Sequence, residues 1–170
     1  VEDVNLTVGK GEFLSVMGPS GSGKTTLLNL MSTIDKATAG DIFFKGKNLT
    51  KLKNKELARL RRDKIGFVFQ DFNLLDNMSI MDNIALPLAL NFVNHKKIIA
   101  DVHELAAFFG ISDQLKKYPY QLSGGQKQRA AVARALITRP SVVFADEPTG
   151  ALDTKASAEL LECLSSLRPK

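Results

Sequence analysis

Nine consecutive residues near the start of the sequence have the types and spacing of a phosphate-binding loop: Gly18, Pro19, Ser20, Gly21, Ser22, Gly23, Lys24, Thr25 and Thr26. The first eight fit the pattern G-x-x-x-x-G-K-[ST]. Glycines let backbone N–H groups reach phosphate oxygens that a side chain would keep away. Lys24 can contact the β- and γ-phosphates, and the Thr25 hydroxyl can ligate Mg²⁺. The segment therefore predicts a site for a nucleoside triphosphate.

A pair of carboxylates at the end of an apolar segment could complete such a site. Asp146 and Glu147 follow residues 142–145, Val-Val-Phe-Ala, which predict a buried strand. At the carboxyl end of a parallel strand beside a phosphate loop, Asp146 can hold Mg²⁺ directly or through water. Glu147 can then act as general base toward a water that attacks the γ-phosphate. The alternative is a solvated acidic turn with Pro148 and Gly150, which the phosphate loop disfavours.

A second group of backbone atoms suited to an anion lies in residues 122–126, Leu-Ser-Gly-Gly-Gln, ahead of a helical pattern over residues 127–138. Ser123 is suited to cap this helix, and Gly124 and Gly125 expose backbone N–H groups at its positive end. On physical grounds alone, both a second anion site and a simple capped helix fit these residues.

The scaffold around these residues is predicted from hydrophobic patterning. Period-2 alternation at residues 4–8 and an apolar run at residues 13–17 predict two strands before the phosphate loop. Further strands are predicted at residues 42–44, 65–69 and 142–145, and helices at 25–34, 51–62, most of 79–138, and 156–167. Within the long helical region, one stripe is predicted to face a core: Ile98, Val102, Leu105 and Phe109. The combination indicates a layered α/β architecture.

Composition narrows the class of protein. The chain has 170 residues, 44% of them hydrophobic, with 23 basic and 18 acidic side chains and a net charge of +5. This is enough apolar material for a core and excludes disordered and low-complexity classes. One cysteine excludes an internal disulfide framework, and no apolar run reaches the roughly 20 residues of a membrane-spanning helix. Without a signal-peptide pattern, we expect a soluble intracellular domain or a piece of one.

The basic residues and histidines do not predict a further site. Residues 45–64 contain nine basic side chains, which indicate either a solvated face or contact with lipid head groups or an acidic partner segment. The aromatic residues of a nucleic-acid site are missing there, so we expect no nucleic-acid partner. His95 and His103 are not at metal-ligand spacing.

Together with the phosphate loop and the Asp146–Glu147 pair, residues 122–126 resemble the signature of the ATP-binding-cassette (ABC) ATPases. Gln70, at the end of the strand predicted over residues 65–69, matches the Q-loop glutamine of that family, and Asp153 matches its D-loop aspartate. These motifs follow the family's order over nearly the whole chain. The resemblance implies an α/β fold: a P-loop NTPase core of the ABC type with an antiparallel β-subdomain and an inserted helical signature subdomain.

The resemblance also implies domain boundaries. Residues 1–170 would be a partial nucleotide-binding domain, with residues 1–77 and 139–170 in the core and about 78–138 in the helical subdomain. The aromatic residue that stacks on adenine in the family would lie before residue 1, and the switch histidine after residue 170. We therefore expect a domain truncated at both ends. We also expect this fragment to be inactive, because it lacks the switch histidine.

Roles for individual residues follow from the same resemblance. The expected ligands are ATP and Mg²⁺; Glu147 and Gln70 would be catalytic, and Thr25, Gln70 and Asp146 would hold the metal. A second nucleotide-binding domain would pair head to tail with this one around ATP, with Asp153 coupling the two. The residues that bind nucleotide in trans across that dimer would be Ser123, Gly124, Gly125 and Gln126.

Two segments, residues 65–75 and 146–153, are most similar to one branch of the family. It contains ATPases of lipoprotein-release, macrolide-export, cell-division and peptide-antibiotic-resistance systems. Within it, residues 69–75 and 83–88 most resemble the bacitracin-type resistance ATPases of Gram-positive bacteria. This implies a subunit on the cytoplasmic face of the membrane, attached through a transmembrane permease, that powers export of or resistance to antimicrobial peptides or other amphipathic substrates.

Other functions within the family stay open. One alternative is an ATP-driven mechanical or signalling regulator of a membrane partner that carries no substrate, as in cell-division systems. A soluble ABC protein of DNA repair or translation is disfavoured, because the region between Gln70 and Ser123 is compact. Apolar Phe72, Leu74 and Leu75 are predicted either to form the groove for a permease helix or to be buried under the helical subdomain.

Overall fold

The computed structural model describes residues 1–149, so the predictions for Asp153 and for a helix over residues 156–167 lie outside the described part. The elements in chain order are α1 (Lys24–Met31), β1 (Phe43–Phe44), β2 (Lys47–Asn48), α2 (Asn54–Lys64), β3 (Ile65–Val68), α3 (Ile80–Ala89), α4 (His95–Phe108), α5 (Gly124–Leu136) and β4 (Val142–Ala145). Two short 3₁₀ turns, Ser112–Gln114 and Pro119–Gln121, connect α4 to α5.

The parallel pair β3–β4 positions the functional residues. Ile65 is opposite Val142, and Val68 is opposite Ala145. The backbone N–H of Asp146 continues the pairing by donating to the Val68 carbonyl over 2.9 Å. Because the carboxyl ends of parallel strands meet at one edge of a sheet, the residues after β3 and after β4 lie together.

Helix α5 packs unusually close to β3. A Cβ atom added at Gly66 would lie 2.5 Å from the backbone oxygen of Ala135, so only glycine allows this approach. Four consecutive alanine and valine positions in the middle of α5 are fully buried, namely Ala130, Ala131, Val132 and Ala133. The helix is therefore closely packed against β3 near its C-terminal end.

The core lies between β3 and the helices α3, α4 and α5. Of the predicted α4 stripe, Ile98, Val102 and Phe109 are buried, and Leu105 is half-buried and packs on the same cluster. The prediction of a mostly helical region between residues 79 and 138 is confirmed. No helix within residues 1–149 is long and apolar enough to span a bilayer.

Two predicted strands are wrong. Residues 4–8 and 13–17 belong to no strand, and their apolar side chains are exposed, with Met17 at 88%. A period-2 pattern becomes a strand only where a neighbouring strand accepts its hydrogen bonds, and the two sheets of the described region are β1–β2 and β3–β4. The antiparallel pairing is the short β1–β2 hairpin. Strand β4 has its predicted bounds but is half-buried rather than buried.

Candidate functional site

The glycines of the phosphate loop are required by its backbone. Gly21 has φ +79° and Gly23, the residue before α1, has φ +88°, values that L side chains rarely adopt. At Gly18 an added Cβ would lie 2.8 Å from the Ser22 hydroxyl oxygen. The backbone N–H of Ser22 donates to the Pro19 carbonyl over 3.3 Å and closes the turn. The sequence pattern thus folds into a tight loop that leads into the N-terminus of α1.

Lys24 folds back over this loop. Its ammonium donates to the carbonyl oxygens of Gly18 and Pro19, both over 3.0 Å. The cation is therefore held above the loop, where it can exchange these carbonyls for phosphate oxygens. Ser20, Thr25 and Thr26 are exposed around it. The loop, the α1 N-terminus and Lys24 together present positive potential to solvent.

The hydroxyl of Thr25 donates to a carboxylate oxygen of Asp146 over 3.1 Å. Asp146 is 8% exposed, and its backbone is fixed by the bond to Val68. This contact joins the first turn of α1 to the end of β4, 121 residues later. A hydroxyl and a carboxylate oxygen at this distance are the hard donors that Mg²⁺ takes from a protein when phosphates and water supply the rest. The pair fits that ion.

Gln70 and Glu147 form the second contact at the same edge. The side-chain amide of Gln70 donates to a carboxylate oxygen of Glu147 over 3.0 Å, and both side chains are exposed. Glu147 has a φ of +44°, the left-handed region. Such a conformation costs a non-glycine residue about 1–2 kcal/mol and is concentrated at functional sites.

The signature segment forms a complete helix cap. The Ser123 hydroxyl accepts from the Gln126 backbone N–H over 3.3 Å, and the Gln126 side chain accepts from the Ser123 backbone N–H over 3.0 Å. This capping box begins α5, with Gly124 exposed and Gly125 half-buried in its first turn. The predicted cap is confirmed. It also leaves the positive end of α5 facing solvent, as an anion site requires.

Two further side chains contact this region and were missed from the sequence. Gln128 donates to the Pro148 carbonyl over 2.6 Å, directly after Glu147. Arg134 donates to the carbonyls of Phe72 and Asn73, in the loop after Gln70. Burial lowers the pKa of Arg134 from its ordinary value, but a guanidinium is protonated throughout the neutral range. The signal in the sequence for Arg134 is a charged residue between two alanines, whereas Gln128 lies between two basic residues and carries no such signal.

The predicted permease groove is partly occupied by the protein itself. Leu74 is half-buried and packs on the core, Phe72 is half-buried, and Leu75 is 43% exposed. Behind this loop the fully buried amide of Asn83 bonds the backbone at Leu75 and Met78. The loop after Gln70 is therefore fixed on its inner side and presents Leu75 to solvent.

A glycine loop entering a helix, next to the carboxyl edge of a parallel sheet that carries an Asp-Glu pair, defines a P-loop nucleotide-binding fold. The sequence profile of the family described as "ABC transporter" matches residues 1–150. The chain belongs to the ABC transporter family.

Individual relatives agree with this assignment. The ABC transporter ATP-binding protein YxdL of Bacillus subtilis is 51% identical over 167 residues, which cover 98% of this chain and 65% of that protein. The bacitracin export ATP-binding protein BceA of Halalkalibacterium halodurans is 49% identical over 170 residues, covering 100% of this chain and 67% of that protein. The chain thus spans about two thirds of the length of these curated relatives.

The fold agrees with a solved cassette. The ATP-binding cassette MJ0796, solved as a dimer in a post-hydrolysis state bound to ADP and inorganic phosphate, superposes with a TM-score of 0.91 at 40% identity. The match covers 97% of this chain and 73% of that one. The α/β fold of an ABC ATPase core predicted from the sequence is confirmed.

Proposed function

We propose that this chain binds and hydrolyses ATP to power a membrane ABC transporter. The observation that carries the proposal is that two side-chain hydrogen bonds lie at the same edge of the β3–β4 sheet. Thr25 meets Asp146 where a metal would sit, and Gln70 meets Glu147 where a water would attack. Both lie after the strands β3 and β4, on the side of the sheet where α/β proteins bind nucleotides.

The chain's residues divide the work of phosphoryl transfer. Backbone N–H groups between Gly18 and Thr26 bind the phosphates, while Lys24 neutralises the β- and γ-phosphates. Thr25 and Asp146, with Gln70 nearby, would hold Mg²⁺, which would supply positive charge to offset the charge of the phosphates. Together these contacts hold the γ-phosphate in one orientation.

The water is activated by the pair at the sheet edge. Glu147 accepts a proton from a water whose oxygen bonds to the γ-phosphorus, and the bond from that phosphorus to the ADP oxygen breaks. The Gln70 amide, which already contacts Glu147, orients the water and the carboxylate. The products are ADP and inorganic phosphate.

A second nucleotide-binding domain completes each site in this proposal. The capped N-terminus of α5, with Ser123, Gly124, Gly125 and Gln126, would contact the γ-phosphate held by the partner domain. Asp153 would couple the two sites. The dimeric state of the cassette MJ0796, reported with ADP and inorganic phosphate, supports a pair of such domains.

The membrane partner would be a permease on a separate chain, which places this protein on the cytoplasmic face of the membrane. Exposed Leu75, in the loop after Gln70, is a suitable contact for a permease helix, because movement of that loop would reach the hydrolytic pair. Residues 1–77 and 139–170 would form the core, and about 78–138 the helical subdomain. The similarity to a bacitracin export ATP-binding protein supports peptide antibiotics as the substrate class.

The test is a Glu147→Gln substitution in the intact protein, with and without its permease. We expect ATP binding to persist and turnover to fall at least a hundredfold, because the general base is lost. Cells carrying the variant should also lose resistance to peptide antibiotics. Normal turnover in the variant would overturn the assignment of Glu147 as the base. Loss of turnover with unchanged peptide transport would overturn the proposal that ATP hydrolysis by this chain powers the transporter. If the wild-type protein supports neither peptide transport nor resistance, the result would favour a regulator of the membrane partner.

A further inference from the structure

Helix α5 contacts both loops that carry the hydrolytic pair. Gln128 is 1% exposed, and its amide nitrogen donates over 2.6 Å to the carbonyl of Pro148, the residue after Glu147. Its amide oxygen is also buried and has no hydrogen-bond partner. Leaving that oxygen unpaired costs about 1–3 kcal/mol. Burial of the Gln128 amide is therefore unfavourable by itself. Its hydrogen bond is to the backbone next to Glu147.

Arg134 makes the corresponding contact on the other loop. Its guanidinium donates to the Asn73 carbonyl over 2.5 Å and to the Phe72 carbonyl over 2.7 Å. Phe72 and Asn73 have φ values of +61° and +47°, so two successive residues after Gln70 are left-handed. A planar fork that bonds two adjacent carbonyls fixes both position and orientation, which a single ammonium cannot do. Arg134 therefore stabilises a strained turn directly behind Gln70.

The helix between these contacts is well suited to transmit position. It begins at the Ser123 cap and spans 13 residues, about 20 Å at 1.5 Å per residue. Its far end is pressed against β3, where Gly66 leaves no room for a Cβ beside Ala135. A shift of α5 would therefore move the Pro148 and Phe72–Asn73 carbonyls along with the cap.

We propose that Gln128 and Arg134 are positioning residues that set the geometry of the Glu147–Gln70 pair from the signature helix. Engagement of the Ser123 cap by nucleotide would then be sensed at the water-activating pair through α5 itself. The inference rests on the proposed function, because it requires Glu147 and Gln70 to act in hydrolysis. It adds two residues whose hydrogen bonds are to backbone carbonyls beside the pair.

The decisive variants are Gln128→Met and Arg134→Lys in the intact protein. Methionine keeps the length of glutamine and removes both the bond to Pro148 and the unpaired oxygen, so the fold should be retained. Lysine keeps the charge of Arg134 but not the two-pronged contact. We expect each variant to lower kcat for ATP about tenfold, with KM for ATP within about twofold of wild type.

Two matched controls are available. Gln114 also has a buried amide oxygen without a partner, but it lies in the short turn after α4. Arg61, on α2, donates to the backbone carbonyl of Thr33 over 2.7 Å, just after the end of α1. Gln114→Met and Arg61→Lys should leave kcat within about twofold of wild type. An equal fall of kcat in either control would overturn the proposal, because the effect would then be a general one.

A double-mutant cycle separates this inference from the proposed function. With Glu147→Gln already present, Gln128→Met and Arg134→Lys should not lower the residual turnover further, because the base they position is gone. If Glu147→Gln abolishes turnover while Gln128→Met and Arg134→Lys keep normal kcat, the inference fails and the proposed function stands. If Glu147→Gln turns over normally, the assigned base is overturned and this inference fails with it, although the chain still hydrolyses ATP. Should Gln128→Met not fold, Arg134→Lys and its Arg61→Lys control decide alone.

Discussion

The amide of Gln70 donates to the carboxylate of Glu147 over 3.0 Å, although the two residues are 77 positions apart. The register of the sheet explains the contact. Val68 is paired with Ala145, and each functional residue follows its strand end by two positions. Parallel strands in register carry equally spaced residues to the same height beyond the edge. A shift of one residue in this register would separate the pair.

The contact between Thr25 and Asp146 predicts a specific role in metal binding. Thr25→Val keeps the shape of the side chain and removes the hydroxyl that meets the carboxylate at 3.1 Å. We expect the tightening of ATP binding by Mg²⁺ to fall about tenfold, since one of its few protein ligands is lost. Titration with a fluorescent ATP analogue, with and without Mg²⁺, measures this.

Thr25→Ser is the control for that experiment, because it keeps the hydroxyl and should keep the Mg²⁺ effect. A Thr25→Val protein whose ATP affinity still rises with Mg²⁺ as in wild type would remove Thr25 from the metal site. ATP binding without Mg²⁺ should change little in either variant, because the loop glycines and Lys24 are untouched.

The buried amide of Asn83 is predicted to hold the loop after Gln70 in place. Its oxygen accepts from the Leu75 N–H over 2.7 Å, and its nitrogen lies within 3.0–3.1 Å of the carbonyls of Leu75, Met78 and Ser79. Asn83→Ala would leave several of these backbone groups unpaired in the interior. We expect the free energy of unfolding to fall by about 2–4 kcal/mol, as measured by urea denaturation.

Asn77, exposed in the same loop, provides the comparison. Asn77→Ala should change the free energy of unfolding by no more than about 0.5 kcal/mol. Similar losses at both positions would mean that the loop is sensitive to any substitution and that the Asn83 network has no special part in it.

The pattern of the sequence predicted local structure well where a segment and its partner both lie in the described chain. Strand β4 has the predicted bounds, and Ser123 caps α5 as expected. Residues 4–8 and 13–17 carry equally good strand patterns and form no strand. A pattern specifies which side chains share a face, but pairing depends on a neighbour that the pattern does not identify.

The site was predictable in part for the same reason. The phosphate-loop residues and the Asp146–Glu147 pair are contiguous motifs, so spacing alone predicts their chemistry. Gln128 and Arg134 are not, because their partners are backbone carbonyls of distant loops. Carbonyl groups carry no sequence identity, so which of them comes near a helix is decided only by the assembled fold. The same holds for the left-handed conformation of Glu147.

Gly66 is predicted to be irreplaceable in β3. In Gly66→Ala the new Cβ would lie 2.5 Å from the Ala135 carbonyl oxygen and 3.1 Å from the ring of Pro140. Backbone cannot move aside as a flexible side chain can, so α5 must shift. We expect a loss of about 1–3 kcal/mol in the free energy of unfolding and a lower kcat for ATP.

The control for Gly66 is Gly9→Ala, where the added Cβ would meet only the side-chain oxygen of Glu12, at 3.4 Å. This variant should unfold as wild type does. If Gly66→Ala were as stable as wild type, α5 would not be packed as closely on β3 as the distance from Gly66 to Ala135 indicates.

Asp41 predicts a pH dependence in the β1–β2 region. Hydrogen bonds from Asn48 and then Thr50 hold the pKa of this exposed carboxyl below its ordinary value. A folded pKa below the unfolded one stabilises the fold above the unfolded pKa, and that contribution disappears as pH falls through the folded pKa. In Asn48→Ala we expect the pKa to rise toward its ordinary value, as seen in a carboxyl-carbon NMR titration. An unchanged midpoint would contradict the assigned bond.

The left-handed backbone at Glu147 predicts a reversal of the usual order of glycine and alanine. Glu147→Ala and Glu147→Gly both remove the carboxylate from an exposed position, so both should abolish ATP turnover. Alanine must still adopt the φ of +44°, which costs an L-residue about 1–2 kcal/mol that glycine does not incur. Glycine also loses more backbone entropy on folding, by about 0.5–1 kcal/mol.

We therefore expect Glu147→Gly to exceed Glu147→Ala by about 0.5–1 kcal/mol in the free energy of unfolding measured by urea denaturation. Equal stability, or a more stable alanine variant, would show that Glu147 is not held in a strained conformation and that the site stores no energy in its backbone.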